Sequence, residues 1–408
     1  AGTGYLFSRK EQANTEDYFL AGRKMPVWAV AVSIVATSMS AVSFIGVPGA
    51  SYAGNLTYLA TNLGMIIAAI VVAMLFIPAF YRTGVGSIYA LLGERFSPRA
   101  MQAASLCFLL GRIFASGARV FAGAIPLSFV IYGVDGAMDI GNLMVAIGLM
   151  TAVGIAYTFV GGIASVIWTD VIQMCVLLSA ALIAIGVVLI RIDAPFADVF
   201  QALSAGGPEG GSKLTIFDTS LDPRAPFGLA TAVLGFAVMG IGSYGTDQDL
   251  AQRMLTCKQA KQGARSVIVG ILLGIPSVAV FLVVGLMLWV YYQRPELVGS
   301  APLNAPADDK EVFLSFILSE MPPGLPGLMM AGLFAAGLSS LNSAINAMSS
   351  AVVHDFYSRW RPGRSPKHYV VAGRWFVVAF GVLLGLFAML CVVWQARDAQ
   401  TGGTLLTF

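Results

Sequence analysis

The sequence predicts an all-α, polytopic membrane protein, and three observations predict it. Of 408 residues, 57% are hydrophobic and only 11% are charged, against roughly 25% charged in a soluble domain. Stretches of about 20 mostly apolar residues, enough to cross a bilayer, recur along the chain. Two of these stretches are interrupted in their middles by helix-weakening residues. Mean hydropathy is +0.80, so the lipid bilayer is the first expected partner.

In order, the predicted spans cover 27–53, 57–81, 102–133, 139–160, 165–191, 227–251, 266–292, 324–353 and 370–394. An odd count puts the two ends on opposite sides, and the positive-inside rule assigns the sides. Arg9, Lys10, Arg23 and Lys24 precede span one; Arg82, Arg95 and Arg99 follow span two. Arg253, Lys258, Lys261 and Arg265 follow span six, and Arg359, Arg361, Arg364, Lys367 and Arg374 follow span eight. These 16 of the 24 Lys and Arg share one side, which is therefore inner. Arg191, Lys213, Arg224, Arg294, Lys310 and Arg397 fall outside, while Arg112 and Arg119 lie within span three.

Span one is interrupted at "FIGVPGASYAG" (44–54) and span six at "GIGSYGTDQ" (240–248). Five spans apart, they cross in opposite directions, as an inverted five-helix repeat requires. Paired broken helices near mid-membrane point to a transporter's binding site. The repeats are expected over 27–192 and 226–408 of one transmembrane domain spanning 1–408. "AGTGYLFSRK" reads as the tail of an earlier span and "TGGTLLTF" as the opening of another. The chain is thus read as a fragment whose second repeat is incomplete.

Composition excludes other classes. The net charge of +3 is small and spread out, without the basic tract that nucleic acid would need. Cys107, Cys175, Cys257 and Cys391 are scattered, and His354 and His368 flank a basic loop without forming a metal-ligand set. No nucleophile, base and oxyanion-donor set gathers in one place, so no enzyme is expected.

The polar residues inside the spans carry the chemistry. Ala336, Ser339, Ser340 and Ser343 stand at i, i+3, i+4 and i+7 and share a helix face. Hard cations want several oxygens. Ser339, Ser340 and the carbonyl of Ala336 would form half a cage, and freed carbonyls near Ala36 and Met39 the other half. Alternatively the serines bond back to the carbonyl four residues earlier, or simply pack helices. Asp170, one turn into span five, is a functional candidate because an intramembrane carboxylate is costly; it reads equally as a wetted acid at a helix N-terminus.

Arg112 and Arg119, seven residues apart, share one face. Either could fork onto a solute carboxylate, or pair with a partner such as Asp247. Ser38, Ser40 and Ser43 in span one, Tyr58 and Asn62 in span two, and Tyr244, Asp247 and Gln248 at the break in span six complete a candidate polar cavity. Tyr58 also fits an interfacial aromatic belt.

"YFLAGR" (18–23), "GGIASVIWTDVIQ" (161–173), "GTDQDLAQR" (245–253) and "AAGLSS" (335–340) together resemble the sodium/solute symporter family over nearly the whole chain. That resemblance implies the leucine-transporter fold and sodium as the coupling ion. It implies a sodium site on the carbonyls of Ala36, Met39 and Ala336 and the hydroxyls of Ser339 and Ser340. A second site, present in some members, would map to Asp170, Ser339, Asn342 and Ser343, with Asn342 where a serine is expected. Sugar-transporting relatives carry an acid and a lysine where this chain has Leu56 and Leu273, and an inner-gate tyrosine where it has Ser243. "SGARVF" (116–121) resembles relatives whose solutes bear carboxylates, and Arg112 matches the span-three arginine of sialic acid transporters. The expectation is a monomeric, multi-pass symporter of the inner (plasma) membrane. It would import a small carboxylate-bearing solute with sodium. A sodium/sugar symporter and a non-transporting solute sensor are the alternatives.

Overall fold

The computed structural model describes residues 12–84, 86–220, 225–299, 309 and 312–400, and within them the chain is almost entirely helical. Arg9, Lys10, Arg224 and Lys310, and the two ends read as partial spans, lie outside the described residues. Six helices are long and apolar enough to cross a membrane unaided: Thr57–Thr83, Pro98–Gly133, Ile140–Arg191, Ala260–Gln293, Leu325–Trp360 and Pro366–Arg397. Ile140–Arg191 is 52 residues, about 78 Å if straight against a hydrocarbon core of about 30 Å. It is divided at Gly162, where φ is 57° and ψ −160°. The Tyr157 hydroxyl reaches Thr169 Oγ1 at 2.7 Å, which twelve residues of unbroken helix would forbid. Spans four and five are therefore separate crossings. With the two broken spans, the described residues place helix over each of the nine stretches read from the sequence.

Span one breaks elsewhere than expected. Its inner half is Val27–Ser38 and its outer half Ala41–Ala53. The chain between is extended, with Met39 at ψ 97° and Ser40 at ψ 174°. The Gly- and Pro-rich stretch 44–54 is mostly helix and serves packing instead: a Cβ on Gly285 of span seven would sit 2.0 Å from the Pro48 carbonyl oxygen. Span six breaks where predicted, between Thr231–Gly245 and Gln248–Leu255. Before span one, Thr15–Arg23 lies at 110° to Val27–Ser38. There "YFLAGR" buries Tyr18 and Phe19.

Span eight is the hub. Of its apolar window 72% is buried, against 33–44% in the other long spans. Spans three and eight touch backbone to backbone at Gly123 and Gly337, where a Cβ on either would meet the other's Cα at 2.7 Å. The core divides by depth. An outer cluster gathers Phe44, Phe281, Phe313 and Phe316 around the outer half of span one, and an inner cluster gathers Ile34, Ile163, Tyr244 and Val267.

Candidate functional site

The break in span one supplies the first element of the site. A helix leaves its last four carbonyls without helical partners, so Val27–Ser38 ends in free oxygens that include Ala36, with Met39 just beyond. One turn below Ala36, the Ser33 hydroxyl donates to Asp170 Oδ2 at 2.5 Å. From span eight, the Ser339 hydroxyl donates to Asp170 Oδ1, also at 2.5 Å. Asp170 therefore ties the inner half of span one to span eight, directly beneath the place where the expected cage would form. Ser340 donates to the Ala336 carbonyl at 3.3 Å, the back-bonded alternative.

Asp170 is fully buried, which removes the wetted helix-terminus reading. Its cation is Arg253, also 0% exposed. Arg253 Nη2 lies 3.3 Å from Asp170 Oδ2 and bonds the Ser343 hydroxyl, while Nε donates to Ser33 Oγ at 2.9 Å. Nη1 pairs with Asp249 at 2.6 Å. The positive-inside count places Arg253 with the inner loop charges. The helix Gln248–Leu255 instead turns back into the bundle and carries it inward. Asp249 continues the chain of charges, since its second oxygen lies 3.0 Å from Arg112, which also grips both Asp247 oxygens at 2.7 Å. A single network thus runs from span eight through spans five, one and six to span three. Arg253, Ser33 and Asp249 were absent from the predicted site; the only signal for them was their place in or beside the "GTDQDLAQR" and broken-helix segments.

Two cavities flank this network. The central one, about 350 Å³, is lined by Ser38, Met39, Ser43, Tyr58, Asn62, Arg112, Arg119, Tyr244 and Asp247 among others. Eight of the ten expected solute-binding residues meet there. The two exceptions are corrections. Ser40 begins the outer half of span one and is buried off the cavity wall. Gln248 faces away: its amide donates to the Gly86 carbonyl at 2.7 Å and accepts from Ile88 N at 2.9 Å. The second cavity, about 690 Å³, opens on the inner side between Phe76, Phe80, Tyr89, Cys107 and Phe108. Arg112, Met239, Ser243 and Asp247 line both cavities and so form the wall between them. Tyr89 reinforces the wall by donating to the Thr246 carbonyl at 3.1 Å.

The two span-three arginines are thereby distinguished. Arg112 is consumed by two aspartates, as the pairing alternative held. Arg119 lines only the central cavity and makes no ion pair among the described residues. The remaining second-site residue, Asn342, is buried with an Oδ1 that has no hydrogen-bond partner. That oxygen lies against span four, where a Cβ on Gly154 would meet it at 2.9 Å.

A model of the sodium:solute symporter family matches residues 18–399. The human sodium/iodide cotransporter is 28% identical over 98% of this chain and 59% of its own length. The sodium/sialic acid symporter of Proteus mirabilis is 28% identical over 98% and 78%. Sodium-coupled monocarboxylate transporter 2 of Danio rerio is 31% identical over 94% and 59%. The chain thus spans less than two thirds of two of these relatives. Among solved structures, a substrate-bound, outward-open Na+-coupled sialic acid symporter superposes with a TM-score of 0.82 at 28% identity, covering 98% of this chain and 80% of that one. A nucleobase-cation-symport-1 transporter in a closed conformation shares the fold, with a TM-score of 0.54 at 14% identity. The leucine-transporter fold expected from the sequence is the arrangement these neighbours support.

Proposed function

The chain belongs to the sodium:solute symporter family, and from that premise we propose that it is a sodium-coupled symporter importing a small carboxylate-bearing solute across the inner (plasma) membrane by alternating access. Arg119 is the observation that carries the solute class. It is a half-buried guanidinium in the central cavity with no ion pair among the described residues, and a charge drawn partly out of water there favours a counter-charge. Iodide, sialic acid and monocarboxylates, the solutes named for the relatives above, are all anions.

Sodium would be held by the carbonyls of Ala36, Met39 and Ala336 and the hydroxyls of Ser339 and Ser340. Those groups belong to span eight and to the end of the inner half of span one, so an ion there ties the two together. The tie favours the state in which the central cavity is complete, because a ligand shifts an equilibrium only by its differential affinity for the two states. In that state the Arg112–Asp247 wall separates the solute from the inner cavity. The wall must part before solute and ion can leave inward. The protein acts as a monomer in this scheme.

The test is thermal unfolding of the full-length protein with sodium or potassium, against pyruvate, sialic acid, amino acids, sugars and iodide. A ligand that binds only the folded state raises the melting temperature by mass action. A shift that needs both sodium and a carboxylate is expected, and Arg119→Gln should abolish it while leaving the shift from sodium alone. A sodium-dependent shift with a neutral sugar and none with any anion would overturn the solute class.

A further inference from the structure

Buried side chains divide the helices into two packed groups. One cluster draws on spans one, two, six and seven with the start of span five, through Ile34, Val72, Tyr244 and Val267. Another draws on spans three, four, eight and nine, through Val120, Met150, Ile345 and Leu384. Packed groups that shift against each other exchange the polar contacts they share.

Segment 86–89, between spans two and three, is bonded to both groups. Gln248 in the inner half of span six holds it by both ends of its amide, donating to the Gly86 carbonyl at 2.7 Å and accepting from Ile88 N at 2.9 Å. On the opposite side the Ser87 hydroxyl donates to Asp355 Oδ2 of span eight at 2.8 Å, and Ser350 Oγ reaches the Gly86 carbonyl at 3.4 Å. The His354 ring packs so closely that a Cβ on Gly86 would meet its Cε1 at 2.6 Å. Gln248, Ser87 and Asp355 are all buried, so water cannot take over these bonds while the segment stays in place. Asp355 stands twelve residues beyond Ser343, about 18 Å further along span eight. The contact is therefore separate from the network around Arg253, and lies nearer the inner surface.

We propose that segment 86–89 is an inner bolt, carried on span six by Gln248 and keyed into span eight by the Ser87–Asp355 bond, which must break before the protein opens inward. Gln248 and Asp355 are thus positioning residues for the inner closure. The inference rests on the alternating-access reading and is independent of the solute class. Ser87→Ala removes one buried hydrogen bond to a carboxylate and should shift the equilibrium about tenfold toward the inward-open state. Ser87→Thr keeps the hydroxyl and should restore it.

The experiment uses the full-length chain with its native cysteines replaced by serine and a reporter, Val278→Cys, on the wall of the central cavity. In vesicles of either orientation, labelling by a membrane-impermeant maleimide should rise about tenfold from the inner face in Ser87→Ala and fall from the outer face. A merely structural role would lower the melting temperature without moving the two faces in opposite directions. In a second chain, Ser87→Cys and Asp355→Cys bridged by a short bis-methanethiosulfonate should block inner-face labelling, and reduction of the bridge should release it. Parental labelling in Ser87→Ala, or inner-face labelling that continues through the bridged pair, would overturn the bolt and leave symport standing. Opposed changes in Ser87→Ala, with uptake of pyruvate and sialic acid indifferent to sodium, would instead keep the bolt and sink the symport reading.

Discussion

The two halves of span one meet at Met39 and Ser40 but are held in opposite ways. Val27–Ser38 is docked by charge, through Ser33 to Asp170 and Arg253. Ala41–Ala53 is docked by shape, with Phe44 stacked on Phe313 at 4.9 Å and edge-on to Phe281 at 5.4 Å. Apolar packing is non-directional and changes smoothly as surfaces slide. A buried ionic network has few satisfactory arrangements and penalises the intermediate ones. The difference teaches where a two-state element can reside: the inner half is the part with discrete positions, and the outer half can follow it. The two exceptions in the outer region are held at their rims. Lys213 donates to the Tyr52 and Gly54 carbonyls at 2.5 and 2.8 Å, and Arg191 pairs with Glu320 at 2.7 Å.

The largest expected effect comes from removing the carboxylate that both inner arginines share. Asp249→Ala leaves Arg253 to Asp170 alone and Arg112 to Asp247 alone, one positive charge of the buried network uncompensated, and should cost about 3–5 kcal/mol, seen as a lowered melting temperature in detergent. A variant as stable as the parent would break the ionic side of the comparison. Next, Gly285→Ala forces the outer half away from span seven and should cost about 1–3 kcal/mol by overpacking. Its sodium half-saturation should hold while the maximal uptake rate falls; a raised half-saturation would mean that shape also sets the ion site.

Arg112→Gln acts on the wall between the cavities. Loss of about 1.4 kcal/mol of closure, a tenfold shift in an equilibrium, should raise alkylation of Cys107, which lies on the inner side of the wall, by a membrane-impermeant maleimide added from the outer side about tenfold, followed by peptide mass spectrometry. Unchanged labelling would assign the wall to Met239 and Ser243 instead. The smallest effect concerns Lys213, which lies outside the spans. Burial pushes its amine down from 10.5 to about 8, against the opposing pull of Asp309. Between those two values the unfolded chain holds a proton that the folded chain has released, so this group's contribution to stability rises with pH across that window. Lys213→Met should remove that rise from the dependence of melting temperature on pH, and an unchanged profile would return the lysine to a bystander.

Much of this was legible in the sequence, and the rest failed for identifiable reasons. Length and hydropathy gave the spans, since a bilayer sets a segment length that no tertiary contact can override. The serine row of span eight followed from helical periodicity. The break of span one was misplaced because Gly46, Pro48 and Gly54 signal both weakened helix and close packing, and only the neighbour decides between them. Here the neighbour is Gly285 of span seven. Arg253 was read as a loop charge because it follows the last apolar residue of span six; its inward turn depends on partners 83 and 90 residues away. Lys213 was one of six outer charges with nothing in its local sequence to separate it from the others. In each case the missing information was which distant oxygen stands opposite, and that is a property of the assembled bundle.

The short helix before span one has a further consequence. Tyr18 donates to the Thr158 carbonyl of span four at 3.0 Å, the Phe19 carbonyl accepts from Gln252 beyond the break in span six at 2.6 Å, and the Phe19 ring lies against Gly373 of span nine. A rigid label placed on this helix would be geared to three crossings at once. It offers a mounting point for a fluorescent biosensor: a fluorophore there, paired with one on the outer surface, would convert any relative movement of these crossings into an optical signal without touching the central cavity.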